Sequence, residues 1–321
     1  MNRLLSSATV LILAGAAGVA AAEEAKSTSM FAAENFTANA MITTDYRFRG
    51  ISNSDGPAAQ GGFNWALEGF TAGVWGSNTQ FSDSNVEVDI FAGYGWNYVG
   101  VDMHVNLLYY MFPGESGKKT QGLDPPGFDP SLGLRPGDAG TAFPTPPPGE
   151  VQPYAGQLPN IDANYFEVNF GIAKTFEGLM LTPTVGFDYN YSPDYFGEDG
   201  AGHYVQGSLA AKLPYDIGFA FKAGYQDVEG DEFSAYFATP DGYDWWWFSV
   251  GFNKEVRGFL LDVSYYWVDK GDQCGNVGGV ACKWNGGFST FYNDYSYSAE
   301  GGTSYRDLAS DEVVFSISRS F

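Results

Sequence analysis

Basic residues are scarce in this sequence. Its 16 Lys and Arg stand against 38 Asp and Glu, a formal charge of −22. So few cations cannot grip a phosphate backbone, which excludes nucleic acid as a partner. Histidine is scarcer still, with only His104 and His203. Neither lies beside a serine motif, and no phosphate-binding loop, HExxH helix or paired-carboxylate motif appears, so neither an enzyme nor a cofactor is expected. Cysteine is limited to Cys274 and Cys282, both in a polar, Gly-rich stretch. In an exported chain they read as a disulfide closing a short loop, and with no His nearby they lack the four ligands of a zinc site. Past the N-terminus, no run approaches the ~18 apolar residues of a membrane-spanning helix.

That N-terminus reads as a secretory signal over residues 1–22. Arg3 provides the positive charge, Leu4 to Val19 is mostly apolar and small, and Ala20-Ala21-Ala22 offers a cleavage site before Glu23. No Cys follows the apolar stretch, which excludes a lipoprotein anchor. Residues 23–35 then form a short periplasmic segment, and 36–321 a single domain. Aromatics and glycine are abundant there. The chain has 42 Gly, 26 Phe, 21 Tyr and 8 Trp. Yet hydrophobic residues make up only 44% and mean hydropathy is −0.19. A helical membrane protein is greasier, and a disordered chain lacks the aromatics. A transmembrane barrel fits, because only every second residue touches lipid.

Period-two alternation is the central signal. Phe36, Ala38, Ala40, Ile42, Thr44, Tyr46 and Phe48 alternate with Thr37, Asn39, Met41, Thr43, Asp45 and Arg47. Similar runs start at Val86, Val99, Leu179, Ile217 and Phe259. Twelve strands are expected, near 36–49, 58–68, 70–79, 85–97, 98–112, 162–175, 178–191, 202–213, 216–227, 244–254, 258–268 and 311–321. Pro183 falls inside one of them and predicts a strained or bulged strand. The last strand places Val313, Phe315, Ile317 and Phe321 on one face. A terminal Phe on such a strand resembles the signal recognised by outer-membrane assembly machinery. Arg319, on the same face, is placed to snorkel to the interface.

The connections alternate short and long. Five short ones end in Gly69, Gly100, Gly178, Gly218 and Gly258, where a tight hairpin can use glycine's free φ. Two others are very long, near 113–161, rich in Pro, and near 269–310. Short periplasmic turns with long extracellular loops make an antiparallel up-and-down barrel. Aromatics near strand ends suggest interfacial girdles: Tyr46, Phe48, Tyr94, Trp96, Tyr189, Tyr191, Trp245-Trp246-Trp247, Tyr265 and Trp267.

Ala40-Met-Ile-Thr-Thr-Asp-Tyr-Arg-Phe-Arg-Gly-Ile-Ser52 resembles the opening signature of the TorF-type porins, a bacterial family of unknown function. Gly61-Gly62-Phe63, Gly69-Phe-Thr-Ala-Gly-Val-Trp-Gly-Ser-Asn78 and Asn85-Val-Glu-Val-Asp-Ile-Phe-Ala-Gly-Tyr94 continue the likeness. It is strong over 40–112 and looser over 162–321, with 113–161 as an insertion. The resemblance implies an outer-membrane barrel with a pore and supplies no substrate.

Asp45, Arg47, Arg49, Glu87, Asp89, Asp102, His104, Glu167, Asp188, Lys222, Asp262 and Glu312 fall on polar faces and are expected to line the pore. By parity His104 points inward and His203 outward. Carboxylates are in excess, which predicts a weak cation preference. The expected function is passive diffusion of small hydrophilic solutes or ions across the outer membrane of a Gram-negative bacterium. Two other readings stand beside it. In one, a salt-bridge network plugs a narrow structural or adhesive barrel that acts through its loops. In the other, the 113–161 loop folds inward and makes the channel specific. Lipid, lipopolysaccharide and the assembly machinery are the expected surroundings, and the oligomeric state stays open.

Overall fold

The computed structural model describes residues 29–79, 84–114, 163–196, 200–229, 243–269, 296–297, 303–304 and 309–321. The signal segment, Cys274, Cys282 and most of the two long connections lie outside the described residues.

Twelve antiparallel strands form a closed barrel. They are β1 (Phe36–Thr43), β2 (Ala58–Leu67), β3 (Phe70–Asn78), β4 (Val86–Tyr98), β5 (Val101–Met111), β6 (Tyr165–Thr175), β7 (Thr184–Ser192), β8 (Gly202–Leu213), β9 (Ile217–Val228), β10 (Tyr243–Val256), β11 (Phe259–Asp269) and β12 (Glu312–Ser320). Each pairs with its sequence neighbour, and β1 pairs with β12 from Asn39 opposite Ser320 to Thr43 opposite Ser316. Phe321 completes that seam by exchanging backbone hydrogen bonds with Ala38, at 3.2 and 2.8 Å.

The alternation sorts residues as the sequence predicts. Ile42, Phe63, Phe70, Ile90, Val185 and Phe315 are all about half exposed or more, on the outside. Asn106, Glu167, Asn190 and Gln226 are buried inside. Soluble monomers rarely expose apolar patches beyond a few hundred Å². An apolar belt around a closed sheet suits lipid, where every backbone N–H and C=O is already paired. His104 and His203 face inward and outward, as parity requires.

Three of the five short turns are two-residue hairpins with both central residues left-handed: Glu68-Gly69, Val99-Gly100 and Arg257-Gly258. The other two depart from expectation. Gly178 and Gly218 are not left-handed. Positive φ falls instead on Leu181 and Thr182, and on Tyr215 and Asp216. After β6 the chain makes a wider turn in which Phe176 N donates to Pro183 O at 2.9 Å. Strand β7 therefore begins at Thr184, not at 178. Pro183 lies before the strand, so no ladder donor is lost and no bulge is needed.

The largest departure is at the first strand. Expected over 36–49, it stops at Thr43. Residues 44–57 then turn into the barrel. Arg47–Phe48 pairs with Ile51–Ser52 as a small inner hairpin, with Arg49 (φ 50) and Gly50 (φ 85) at its tip. Alternation runs on past Thr43 because this segment is also extended, but both its faces meet the lumen wall. Tyr46 meets Trp75 edge-on at 5.4 Å, and Phe48 meets Tyr110 at 5.9 Å. Tyr46 and Phe48 are therefore lumen residues, not girdle residues. Of the three consecutive tryptophans only Trp246 faces outward, whereas Trp245 and Trp247 are buried inside. Gly50 is needed twice over, for its φ and because a Cβ there would lie 2.5 Å from Trp247 Cβ.

Val99 is β-branched, exposed and left-handed, a conformation that suits Asn far better. Val99→Asn is expected to raise the unfolding free energy by roughly 1 kcal/mol, read from denaturant unfolding of the refolded barrel in detergent.

Candidate functional site

The interior divides into two halves. At the end carrying the long connections it is filled by the inner hairpin. Arg49 is buried at the hairpin's tip. Its Nη2 donates to both carboxylate oxygens of Glu167, at 2.8 and 2.7 Å, and its Nη1 donates to Gln226 Oε1. The guanidinium lies 4.1 Å from the centre of the Tyr204 ring and 4.7 Å from that of Phe48. Trp245 Nε1 donates to Arg49 O at 2.9 Å. Burial alone would disfavour the Arg49 charge. Glu167 leads the opposing influences, and together with the surrounding tyrosines it outweighs burial, so the guanidinium stays protonated.

Glu167 is held from the wall as well. Tyr110 Oη and Asn190 Nδ2 both donate to its Oε2, at 3.1 and 3.0 Å. An amide ladder continues down the wall. Asn169 Nδ2 donates to Asn190 Oδ1 at 3.0 Å, and Asn106 Nδ2 to Asn169 Oδ1 at 2.9 Å. His104 Nε2 lies 2.9 Å from that same Asn169 oxygen and 3.3 Å from Asp188. Buried polar groups in a low-dielectric interior need such partners.

A second anchor ties the base of the hairpin. Arg47 pairs with Asp45 at 2.5 Å, bonds Glu312, and donates to Ser310 O at 2.9 Å. Asp45 Oδ1 accepts from Ser52 and Ser54 hydroxyls at 2.6 and 3.1 Å, which locks the turn onto itself. Tyr46 Oη donates to Glu87 Oε1 at 3.1 Å. Asp89, two residues along β4, is on the same inward row.

Toward the short-turn end the lumen opens into a cavity of about 80 Å³. Lys222, Asp262, Ser249, Asn253 and Ser316 line it, and the floor of the inner hairpin, at Asp45, Tyr46 and Arg47, is its roof. Asp188 and Asp262 are the charged neighbours of buried Lys222.

The structure thus gathers eleven of the twelve expected lining residues along the lumen. Three of them, Asp45, Arg47 and Arg49, reach it on the inner hairpin and not from a wall strand. Asp102 is the exception. It sits exposed at the short-turn rim, accepting from Asn97 Nδ2 at 2.8 Å, because β5 begins only one residue before it. Tyr204 and Gln226 were missed as partners of Arg49, and Tyr110 and Asn190 as partners of Glu167. Parity places all four inward, but nothing in one strand reports which residues of others it will meet.

Removing one member of a buried ion pair leaves the other uncompensated. Glu167→Ala is expected to cost about 3–5 kcal/mol in denaturant unfolding, whereas Arg49→Leu with Glu167→Leu costs less than that single change.

A family model described as "Bacterial protein of unknown function (Gcw_chp)" matches residues 24–123. No curated protein matches the sequence. Several solved structures are similar. One is a NanC porin, with 9% identity and TM-score 0.45 over 89% of this chain and 98% of that chain. Another is OmpT of Vibrio cholerae, with 10% identity and TM-score 0.37 over 92% and 72%. A third is the Pseudomonas putida toluene transporter TodX, with 12% identity and TM-score 0.36 over 91% and 90%.

Proposed function

We propose that this chain is a porin-like channel of a Gram-negative outer membrane, kept closed by its own first loop. The TorF-type resemblance and a role for Phe321 in assembly belong to the same reading. The observation that carries it is the division of the lumen. One half holds a cavity whose walls carry Lys222, Asp262, Ser249, Asn253 and Ser316. The other is blocked by residues 44–57, a loop tied to the wall by ion pairs and hydrogen bonds and by the packing of Tyr46, Phe48 and Ile51. The polar contacts can exchange for water, whereas a continuous wall strand cannot leave. The small solutes or ions that pass are hydrophilic, because the lumen is lined by amides, hydroxyls and charges. Cations are favoured. Arg47 and Arg49 are paired with Asp45, Glu312 and Glu167, so among the other described lumen residues the carboxylates Glu87, Asp89, Asp188 and Asp262 outnumber Lys222.

A second reading draws on the completeness of the block: a structural barrel that never conducts. Shortening the first loop separates the two. Thr43 and Ala58 are direct cross-strand partners, so residues 44–57 can be replaced by a two-residue Asn-Gly turn without moving β1 or β2. The full chain in a planar bilayer should show a closed baseline with brief openings. The shortened barrel should conduct steadily, and its reversal potential in a KCl gradient should have the cation-selective sign. A shortened, folded barrel that passes no current leaves the structural reading.

A further inference from the structure

The wall that receives Arg49 is organised without help from the loop. Gln226 is buried, and its Nε2 donates to His203 O at 3.2 Å and to Asp227 O at 3.0 Å. Its amide oxygen is thereby aimed into the lumen. Tyr204 is fixed by its own hydroxyl, which donates to Gln206 Oε1 at 3.0 Å. Glu167 is fixed by Tyr110 and Asn190. Strands β5, β6, β7, β8 and β9 thus converge on one point. There they present a carboxylate, an amide oxygen and an aromatic face, all buried and held by second contacts. Acceptors in a plane beneath a ring face suit a planar, delocalised cation with several N–H donors. They suit a spherical ammonium less well. At present the occupant is the tethered guanidinium of Arg49.

We propose that this wall is a guanidinium-binding site, occupied in the closed barrel by Arg49 acting as a built-in ligand. Free solutes carrying a guanidinium group compete for it and release the inner hairpin. The release rests on the gated-channel reading, but the binding does not. Competition follows from mass action. Each time the hairpin lifts, a free guanidinium can take its place, and the loop cannot reseat until that ligand leaves. The tether raises the effective concentration of Arg49, so millimolar ligand is the appropriate range. Lysine-like cations can reach the same carboxylate but cannot satisfy Gln226 and Glu167 in one plane.

The test uses the refolded full barrel in detergent, with folding checked by heat-modifiable gel mobility. Methylguanidinium is the probe and methylammonium its control, at equal ionic strength. In Arg49→Ala the vacated site should bind methylguanidinium at least tenfold more tightly than methylammonium, read by calorimetry and by a ligand-dependent rise in melting temperature. Adding Glu167→Gln should remove that preference. In the unaltered chain, methylguanidinium but not methylammonium should speed chymotrypsin cleavage at Tyr46 and Phe48, mapped by mass spectrometry. Should Arg49→Ala fail to fold, Arg49→Lys serves: it keeps the charge, loses the fork, and should release the loop at severalfold lower methylguanidinium. Equal responses to both cations, in binding and in cleavage, would overturn the proposal. Selective binding without any bilayer current would retain the site and remove the channel reading. Current without selective binding would do the opposite.

Discussion

Backbone polar groups in lipid have no water to turn to, and this constraint governs the whole structure. A sheet can meet it only by having no edge. The decisive contact is therefore the seam between β1 and β12, where residues from opposite ends of the chain exchange hydrogen bonds as far as Phe321. Everything else follows from that ring. Apolar residues of each strand face outward, because outside is where the apolar medium lies. Polar residues face inward, into a space with little room for water. The usual arrangement of a globular protein is inverted, and the interior becomes the place where polar groups must find one another.

That requirement explains the inner hairpin. Glu87, Asp89, Glu167, Asp188 and Asp262 crowd one narrow lumen, and Lys222 is the cation the described wall strands set among them. Buried carboxylates without partners are costly. The first loop brings Arg47 and Arg49 inside, and with them Tyr46 as a donor to Glu87. The Asn106, Asn169 and Asn190 amides spread the remaining demand along the wall. A loop held this way is specific, since each contact has one geometry. Its polar contacts also have counterparts in water, whereas the packing of Phe48 on Tyr110 does not.

Much of the architecture was legible because lipid imposes a simple period. Twelve strands, their faces and their order follow from alternation and from turns such as Val99-Gly100 and Arg257-Gly258. The misreadings share a cause. Alternation reports extended backbone with two unlike faces, and the inner hairpin at 44–57 has those too, so the first strand read six residues too long. Pro183 looked like an interruption because the run before it was apolar. Apolar residues at Leu179 and Leu181 belong instead to the wide turn that precedes the strand. Trp245 and Trp247 looked like girdle residues since no local signal separates an aromatic seated in lipid from one packed on a plug.

What the sequence determined by itself was the closed barrel and the side on which each strand residue lies, because both depend on local period and turn chemistry. What the tertiary structure decided was occupancy of the lumen. Arg49, Glu167, Tyr204 and Gln226 stand far apart along the chain, on a loop and three different strands. The curvature of the closed sheet sets those neighbouring strands along one concave wall, and the first loop folds across the lumen to it, where a single guanidinium reaches all of them.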